Sequence, residues 1–281
     1  MVETQLTNHF LTADTRASLI SYLTRLYEGV FTPEAISGHL ENHIGSAFAE
    51  YTTQVIAPRL PKGARVLDIG SGFGSCVLAA REAGLDAQGV EIAEFEVNFA
   101  RQRLAQLRPQ DDPQHIYLCG DARHLDLAPE SFDAVTFWNV IEHIENWDTV
   151  MDAAAHYLKP GGLVFIICPN YMAWRLEAHY HVPWKPAFLM SRSKAATYLR
   201  SLGRNPAYFE NSIFYRSNWE VLKKMRQLNF EVMELGTLET RKLALKSIPK
   251  MLRHPLRFLR FYNPFKHSVE LAARKPIRSD Q

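Results

Sequence analysis

Hydrophobic positions near the start of the chain recur at helical spacing. From Arg16 to Tyr27 they fall at Leu19, Ile20, Leu23, Leu26 and Tyr27, one face of a helix. Thr32-Pro33-Glu34 reads as a helix start with proline at the first helical position. A further helix is expected over about 40–57, ended by Pro58 and Pro61. After these prolines the pattern changes to short apolar runs separated by amphipathic stretches. Strands are predicted at Arg65–Ile69, Asp86–Ile92, His115–Cys119, Phe132–Phe137 and Leu163–Cys168. Helices are predicted at about 74–83, 94–107 and 147–158, with Lys159-Pro160-Gly161-Gly162 closing the last. Near-continuous apolar strands alternating with helices mean a parallel sheet covered on both faces.

The alternation lapses over residues 169–216, which are rich in aromatic residues, histidine and proline. It resumes with a helix at Asn218–Leu228, a strand at Phe230–Leu238 and a last strand at Ser268–Ala273. The chain therefore divides into an N-terminal helical cap, 1–60, and one α/β domain, 61–276. The domain carries two insertions, an aromatic one at 171–216 and a basic one at 241–266.

Composition changes this picture in one respect. With 281 residues, 47% hydrophobic and 22% charged, the chain is an ordinary globular protein, which excludes disorder, collagen and coiled coil. The net charge of +2 hides a split: residues 241–281 hold 11 Lys and Arg against 2 acids, so the preceding body is acidic. A basic stretch with interleaved apolar residues suits a peripheral membrane or lipid-phosphate contact, whereas nucleic acid is not expected from an acidic body with no recognisable nucleic-acid module. The start of the chain lacks a secretory pattern, and the longest apolar run, Leu163–Cys168, is far short of the ~20 residues that span a bilayer. Cys76, Cys119 and Cys168 stand far apart in apolar contexts and read as buried thiols. The expected location is the cytoplasm, with the membrane surface as a peripheral site.

The most informative segment is Val66-Leu67-Asp68-Ile69-Gly70-Ser71-Gly72-Phe73-Gly74, a strand running into glycines and then a helix. Glycine permits positive φ and close approach of a ligand to the backbone. A dinucleotide site asks for G-x-G-x-x-G, but here the spacing is G-x-G-x-G with Ser75 at the last position. Asp68, just before the loop, would oppose a pyrophosphate and suits a cationic, amino-acid-like ligand.

Four further motifs follow in order: Val90-Glu91-Ile92, Gly120-Asp121-Ala122, Phe132-Asp133-Ala134-Val135 and Leu158-Lys159-Pro160-Gly161-Gly162. Together with the glycine loop they resemble the class I S-adenosylmethionine (SAM)-dependent methyltransferases over residues 62–170 and again from about 217 to 276. That resemblance implies an α/β fold with a doubly wound, mostly parallel seven-stranded sheet, and SAM as cofactor. It assigns Asp68, Gly70, Ser71, Gly72 and Gly74 to the methionine and ribose part of SAM. Glu91 and Ile92 would serve the ribose, with Glu91 accepting from both hydroxyls. Asp121 and Ala122 would lie at the adenine, and Trp138 and Asn139 near the methionine.

Asn139-Val140-Ile141-Glu142-His143 leaves the fourth strand directly. Ubiquinone-pathway and small-RNA O-methyltransferases carry Glu-x-x-Glu-His here and use it with a divalent metal. This chain has Asn139 in place of the first acid, which removes a charged oxygen ligand, so no metal is expected. His143 is the candidate general base and Glu142 its orienter. The run from Trp174 to Trp184, with Glu177, His179, Tyr180 and His181, is the candidate acceptor-binding lid, and Tyr215, with Tyr208, Asn211 and Phe214, extends it. The run resembles bacterial methyltransferases of polysaccharide or glycolipid pathways. The expected reaction is O-methylation of a hydroxyl on a saccharide, glycolipid or related small molecule. Alternatives are a ubiquinone-like phenol O-methyltransferase, a small-molecule N-methyltransferase, or a binding protein that has lost catalysis.

Overall fold

The computed structural model describes residues 11–31, 33–233 and 266–277, and among these three α-helices precede the sheet. Helix α1 spans Ala13–Leu26, and its N-cap Thr12 accepts from the backbone N–H of Thr15. Residues 40–57, expected as one helix, belong to two: α2, Pro33–Ile44, and α3, Ala47–Ile56. Gly45, a poor helix former, falls at the break.

The sheet and its helices follow in alternation: β1 Arg65–Ile69, α4 Ser75–Glu82, β2 Asp86–Glu91, α5 Glu94–Leu107, α6 Pro113–Ile116, β3 Tyr117–Cys119, β4 Phe132–Trp138, α7 Trp147–Tyr157 and β5 Leu158–Pro169. After β5 come a two-strand hairpin, β6 Arg175–Leu176 and β7 Pro183–Trp184, then α8 Arg192–Ser201, α9 Ala207–Ser212 and α10 Asn218–Gln227. Strands β8, Glu231–Met233, and β9, Ser268–Arg274, complete the sheet. The order is β3-β2-β1-β4-β5-β9-β8, with β9 antiparallel to both its neighbours and β1–β5 parallel. This is the doubly wound, mostly parallel seven-stranded sheet expected. Strand order reverses between β1 and β4, and the crevice at their carboxyl ends is where such sheets bind ligands.

Both faces of the strands are buried, as the apolar runs required. Leu67, Val135, Phe137, Val164 and Ile166 pack with α7 and α10 on one face. Val66, Ala134, Leu163, Phe165 and Ile167 pack with α3, α4 and α5 on the other. A third cluster, with Tyr171, Tyr180, Trp184, Leu199 and Phe209, is the core of the insertion. The N-terminal helices bury Leu19, Leu23, Ile36 and Leu40 against Phe73 and Phe99 of the sheet domain.

Some boundaries differ for local reasons. The third strand begins at Tyr117 rather than His115, because Asp112 caps a helical turn through the N–H of Gln114 and Pro113 takes its first position. Strand β5 begins at Leu158: Lys159–Gly162 form a bulge between the Phe132–Leu158 and Ala134–Leu163 pairs instead of a loop. Gly161, at φ +76°, donates its N–H to the Lys275 carbonyl there. Of the cysteines expected to be buried, Cys168 is, Cys76 is half-buried and Cys119, at the end of β3, is exposed. All three are free thiols. The basic stretch at 241–265 and residues 234–238 of the expected strand lie outside the described residues. Among the described residues no helix is long and apolar enough to cross a membrane.

Candidate active site

The glycine turn after β1 sits at the topological switch point. Gly70 and Ser71 donate their N–H groups to the Val90 carbonyl, which ties the loop to the end of β2. Gly70, Gly72 and Gly74 have φ of +75°, +52° and +80°. A Cβ on Gly70 would stand 2.5 Å from Val140, and one on Gly74 would stand 2.6 Å from the Tyr117 hydroxyl. The loop is therefore restricted to glycine by conformation and by space together.

A cavity of about 690 Å³ opens from this loop. The residues assigned by resemblance to the cofactor line it: Asp68, Gly70, Ser71, Gly72, Glu91, Ile92, Asp121, Ala122, Trp138 and Asn139. Gly74 does not; it turns the chain into α4 and offers its carbonyl to Tyr117. Asn139 takes φ +56°, a conformation asparagine tolerates, and donates its N–H to the Ile167 carbonyl. Ile92 is 71% exposed at the rim.

The carboxylates of this half are held in three different ways. Asp68 is buried, and Thr136 donates to it at 2.6 Å. Burial pushes its carboxyl up to about 7, with Glu91 adding to the rise. Glu91 accepts from the N–H groups of Gly72, Ile92 and Ala93. A carboxylate offers about four acceptor positions, so only one, on Oε2, stays free without displacing a backbone bond. The expected pairing with two ribose hydroxyls is thus reduced to one in this state. Asp121 is held down at about 2, first by its hydrogen bonds from the Arg123 side chain and also by Arg123's N–H.

A fourth carboxylate has no counterpart among the expected site residues. Glu96, in the first turn of α5, lines the cavity, and Tyr22 of α1 donates to it at 2.9 Å. Burial and the charge of Glu91 push it up to about 7. Its only signal in the sequence is an acid in a helix first turn, a position that ordinarily reflects the helix dipole.

The opposite half of the cavity is built from distant segments. Leu26, Tyr27, His43 and Phe48 come from the N-terminal helices, His143 from the 3₁₀ turn after β4, and His179 and Tyr208 from the insertion. Tyr27 and Tyr208 meet at 5.1 Å between ring centroids, His179 and Tyr208 at 5.5 Å, and His143 and His179 at 5.1 Å, edge to face. The helices expected as a cap therefore form one wall of the cavity.

His143 Nδ1 lies 2.7 Å from the Ser212 carbonyl, an acceptor, so that nitrogen carries the proton. Nε2 stands 4.0 Å from Glu142 Oε1, beyond hydrogen-bond reach. The expected orienting role of Glu142 is therefore corrected: Ser212 orients His143. Glu142 itself is wholly buried, neither carboxyl oxygen has a hydrogen-bond partner among the described residues, and burial pushes it up to about 8. Burial, and then His179, push His143 down to about 4.

Of the expected acceptor-binding residues, His179 and Tyr208 line the cavity; the others do not. Glu177 is 0% exposed and serves as the hub of a turn, accepting from the Tyr171 hydroxyl, Arg175, the N–H groups of His179 and Tyr180, and His179 Nδ1. Burial works against that charge, yet the His179 hydrogen bond and the nearby positive groups hold Glu177 down at about 2. Tyr180 and Trp184 are core of the insertion, and Tyr215 stacks on Tyr171 and donates to the Met190 carbonyl. His181 is exposed and faces Phe31, and Trp174 is 55% exposed outside the cavity. Asn211 and Phe214 also lie away from the lining.

Comparison with known proteins agrees with this architecture. A ubiquinone biosynthesis O-methyltransferase of Idiomarina loihiensis is 32% identical over 154 residues, 53% of this chain and 56% of that protein. The chain thus spans about half the length of the curated relatives it matches. Among solved structures, the YcgJ protein of Bacillus subtilis superposes with a TM-score of 0.54 at 15% identity, covering 82% of this chain and 99% of that one. Phosphoethanolamine N-methyltransferase 2 of Haemonchus contortus, solved with SAM, gives 0.52 at 18%, covering 94% and 57%. These two likenesses show the fold. The family model described as a methyltransferase domain matches residues 42–235, beginning inside α2. The chain therefore belongs to the methyltransferase domain family.

Proposed function

We propose that this protein is an O-methyltransferase that transfers the methyl group of SAM to a hydroxyl of a small molecule. The observation that carries this reading is one cavity with two unlike ends, buried carboxylates at the glycine loop and imidazoles with tyrosines opposite. SAM fits the first end. Two of its carboxyls are held above their usual range by burial and by a third, so a cation relieves them, whereas an anion would not. Asp68, Glu91, Glu96 and the loop backbone would hold it. Bound there, SAM supplies an electrophilic methyl group on a sulfonium.

The protein's own residues do the rest. The loop and the carboxylates fix the donor, while α1–α3 and the insertion close the opposite wall and exclude water. An imidazole beside the acceptor can take the hydroxyl proton. Among hydroxyl acceptors the aromatic lining favours a phenol, and the Idiomarina relative is named as a ubiquinone biosynthesis O-methyltransferase. Tyr27, His43 and Tyr208 present rings to the cavity. The saccharide or glycolipid reading rested on the 174–184 run, and that run places only His179 in the cavity lining.

The test is transfer from methyl-labelled SAM to catechol, a methyl glycoside and ethanolamine, run in parallel. Labelled ether from catechol is the expected product. Label confined to the amine would overturn the O-methyltransferase reading, and label confined to the glycoside would overturn the phenol.

A further inference from the structure

Four titratable side chains besides His179 face the acceptor end, and three of them are poorly suited to accept a proton near neutrality. Burial pushes the Tyr27 phenol up to about 12, and it pushes the Tyr208 phenol further still, so both stay protonated. His143 is held through Nδ1 by the neutral Ser212 carbonyl, its Nε2 is 4.0 Å from Glu142 and beyond hydrogen-bond reach, and burial disfavours it as a cation, so no bonded carboxylate stabilises an imidazolium there. His43, on α2, has its ring against Tyr27 and Phe73.

His179 differs from all of these. Its Nδ1 lies 3.1 Å from Glu177 Oε1, and its own N–H and that of Tyr180 bind the other carboxylate oxygen. Glu177 is ionised and buried, so Nδ1 carries the proton and the lone pair is left on Nε2. Among the described residues no protein atom hydrogen-bonds that second nitrogen, and the ring lines the cavity. A buried carboxylate behind an imidazole fixes its tautomer and orientation and stabilises the imidazolium that forms when the other nitrogen is protonated.

We propose that Glu177 and His179 form the base dyad of this site, with His179 Nε2 accepting the proton of the acceptor hydroxyl and Glu177 as its positioning residue. The inference rests on the O-methyltransferase reading. The balance is simple. The hydroxyl proton passes to Nε2, the oxygen's electron pair forms the bond to the methyl carbon, and the carbon–sulfur pair stays on sulfur, leaving a neutral thioether. Charged and titratable groups against His179 are Glu177 from its own hairpin, His143 from the turn after β4 and Tyr208 from α9; Arg175 pairs with Glu177, and Glu142 stands behind His143. Tyr27 and His43 stand behind Tyr208 from the N-terminal helices.

The experiment has two arms on the full chain. In the first, ¹⁵N imidazole spectra of the cofactor-free protein are recorded at pH 7. A His179 carrying its proton on Nδ1 is expected; one carrying it on Nε2 overturns the dyad. In the second, His179→Gln and Glu177→Gln are compared with the unsubstituted protein, using labelled SAM and catechol. His179→Gln is expected to lower kcat by about 10²–10⁴-fold, to remove the acid limb of the pH profile and to leave SAM affinity unchanged. Added imidazole should partly restore kcat in His179→Ala. Glu177→Gln should lower kcat more than it raises KM. Because Glu177 also organises its turn, a misfolded Glu177→Gln, seen in its melting curve, leaves the decision to His179→Gln. Full turnover in His179→Gln overturns the dyad alone. No transfer to catechol or a methyl glycoside by an unsubstituted protein that binds SAM overturns the hydroxyl reading, and this role with it.

Discussion

The two ends of the cavity are made in opposite ways. The cofactor end is a set of strand termini and one glycine turn, in which Asp68, Gly70, Gly72 and Glu91 lie within 24 residues of each other and are tied by backbone hydrogen bonds. The acceptor end gathers Tyr27, His43, His143, His179 and Tyr208 from five separate stretches of chain. The first end is specified by local backbone geometry and should be brittle. The second is specified by packing of an insertion and an N-terminal helical layer, and its chemistry turns on one or two side chains.

Four outcomes would sharpen or break that contrast. The largest effect is expected at Gly70→Val. A positive φ costs a branched residue roughly 1–3 kcal/mol, and the new Cβ would also meet Val140 at 2.5 Å. SAM binding by calorimetry should be lost. Gly63 has nearly the same φ, +74°, but a Cβ added there would meet nothing within 4 Å. Gly63→Val should therefore show the backbone cost in its melting temperature and keep SAM binding. If both variants bind equally, close packing of the loop does not matter.

Next is the proton balance of the acidic end. Asp68 and Glu96 titrate near 7 in the folded protein and near 4 unfolded, so between those values the folded state binds more protons. Stability should accordingly fall as pH rises from about 4 to about 7. A bound cation favours the ionised carboxylates. SAM binding at pH 7 should then release protons, seen as a dependence of binding heat on buffer ionisation enthalpy that fades by about pH 9. Proton uptake would contradict the cationic fit.

A smaller effect is expected where the N-terminal helices meet the cofactor end. Tyr22→Phe removes the hydroxyl that binds Glu96. The loss should weaken SAM by about 1 kcal/mol or less, roughly fivefold at most, with the fold intact. Smallest of all is Trp174→Ala. The ring is mostly exposed outside the cavity, so stability should stay within about 0.5 kcal/mol and turnover should be unchanged. A large loss of turnover would return this residue to the acceptor site.

The same contrast explains what could be read from sequence. β1, β2 and β4, together with Asp68 and Glu91 near their ends, were legible because apolar period and glycine spacing are local signals. β3 differs by two residues from its expected start because a capped turn at Asp112-Pro113 looks like the start of a strand run. Glu96 was hidden because its role depends on Tyr22, 74 residues away. The 174–184 run could be recognised as special, but not sorted. Tyr180 and Trp184 fill a core, Trp174 faces out, and only the fold turns His179 inward. His143 looked like the base because it follows β4 directly, and the Ser212 carbonyl that occupies its Nδ1 comes from 69 residues downstream.

The central claim is that one cavity holds cofactor and acceptor at chemically distinct ends. The most direct measurement is SAM affinity by titration calorimetry in the unsubstituted protein, Glu91→Ala and His179→Gln. Glu91→Ala should weaken SAM roughly 10- to 150-fold, the worth of charge-assisted hydrogen bonds, while His179→Gln should bind as the unsubstituted protein does. Equal weakening in both variants, or no SAM binding by the unsubstituted protein, would contradict the account.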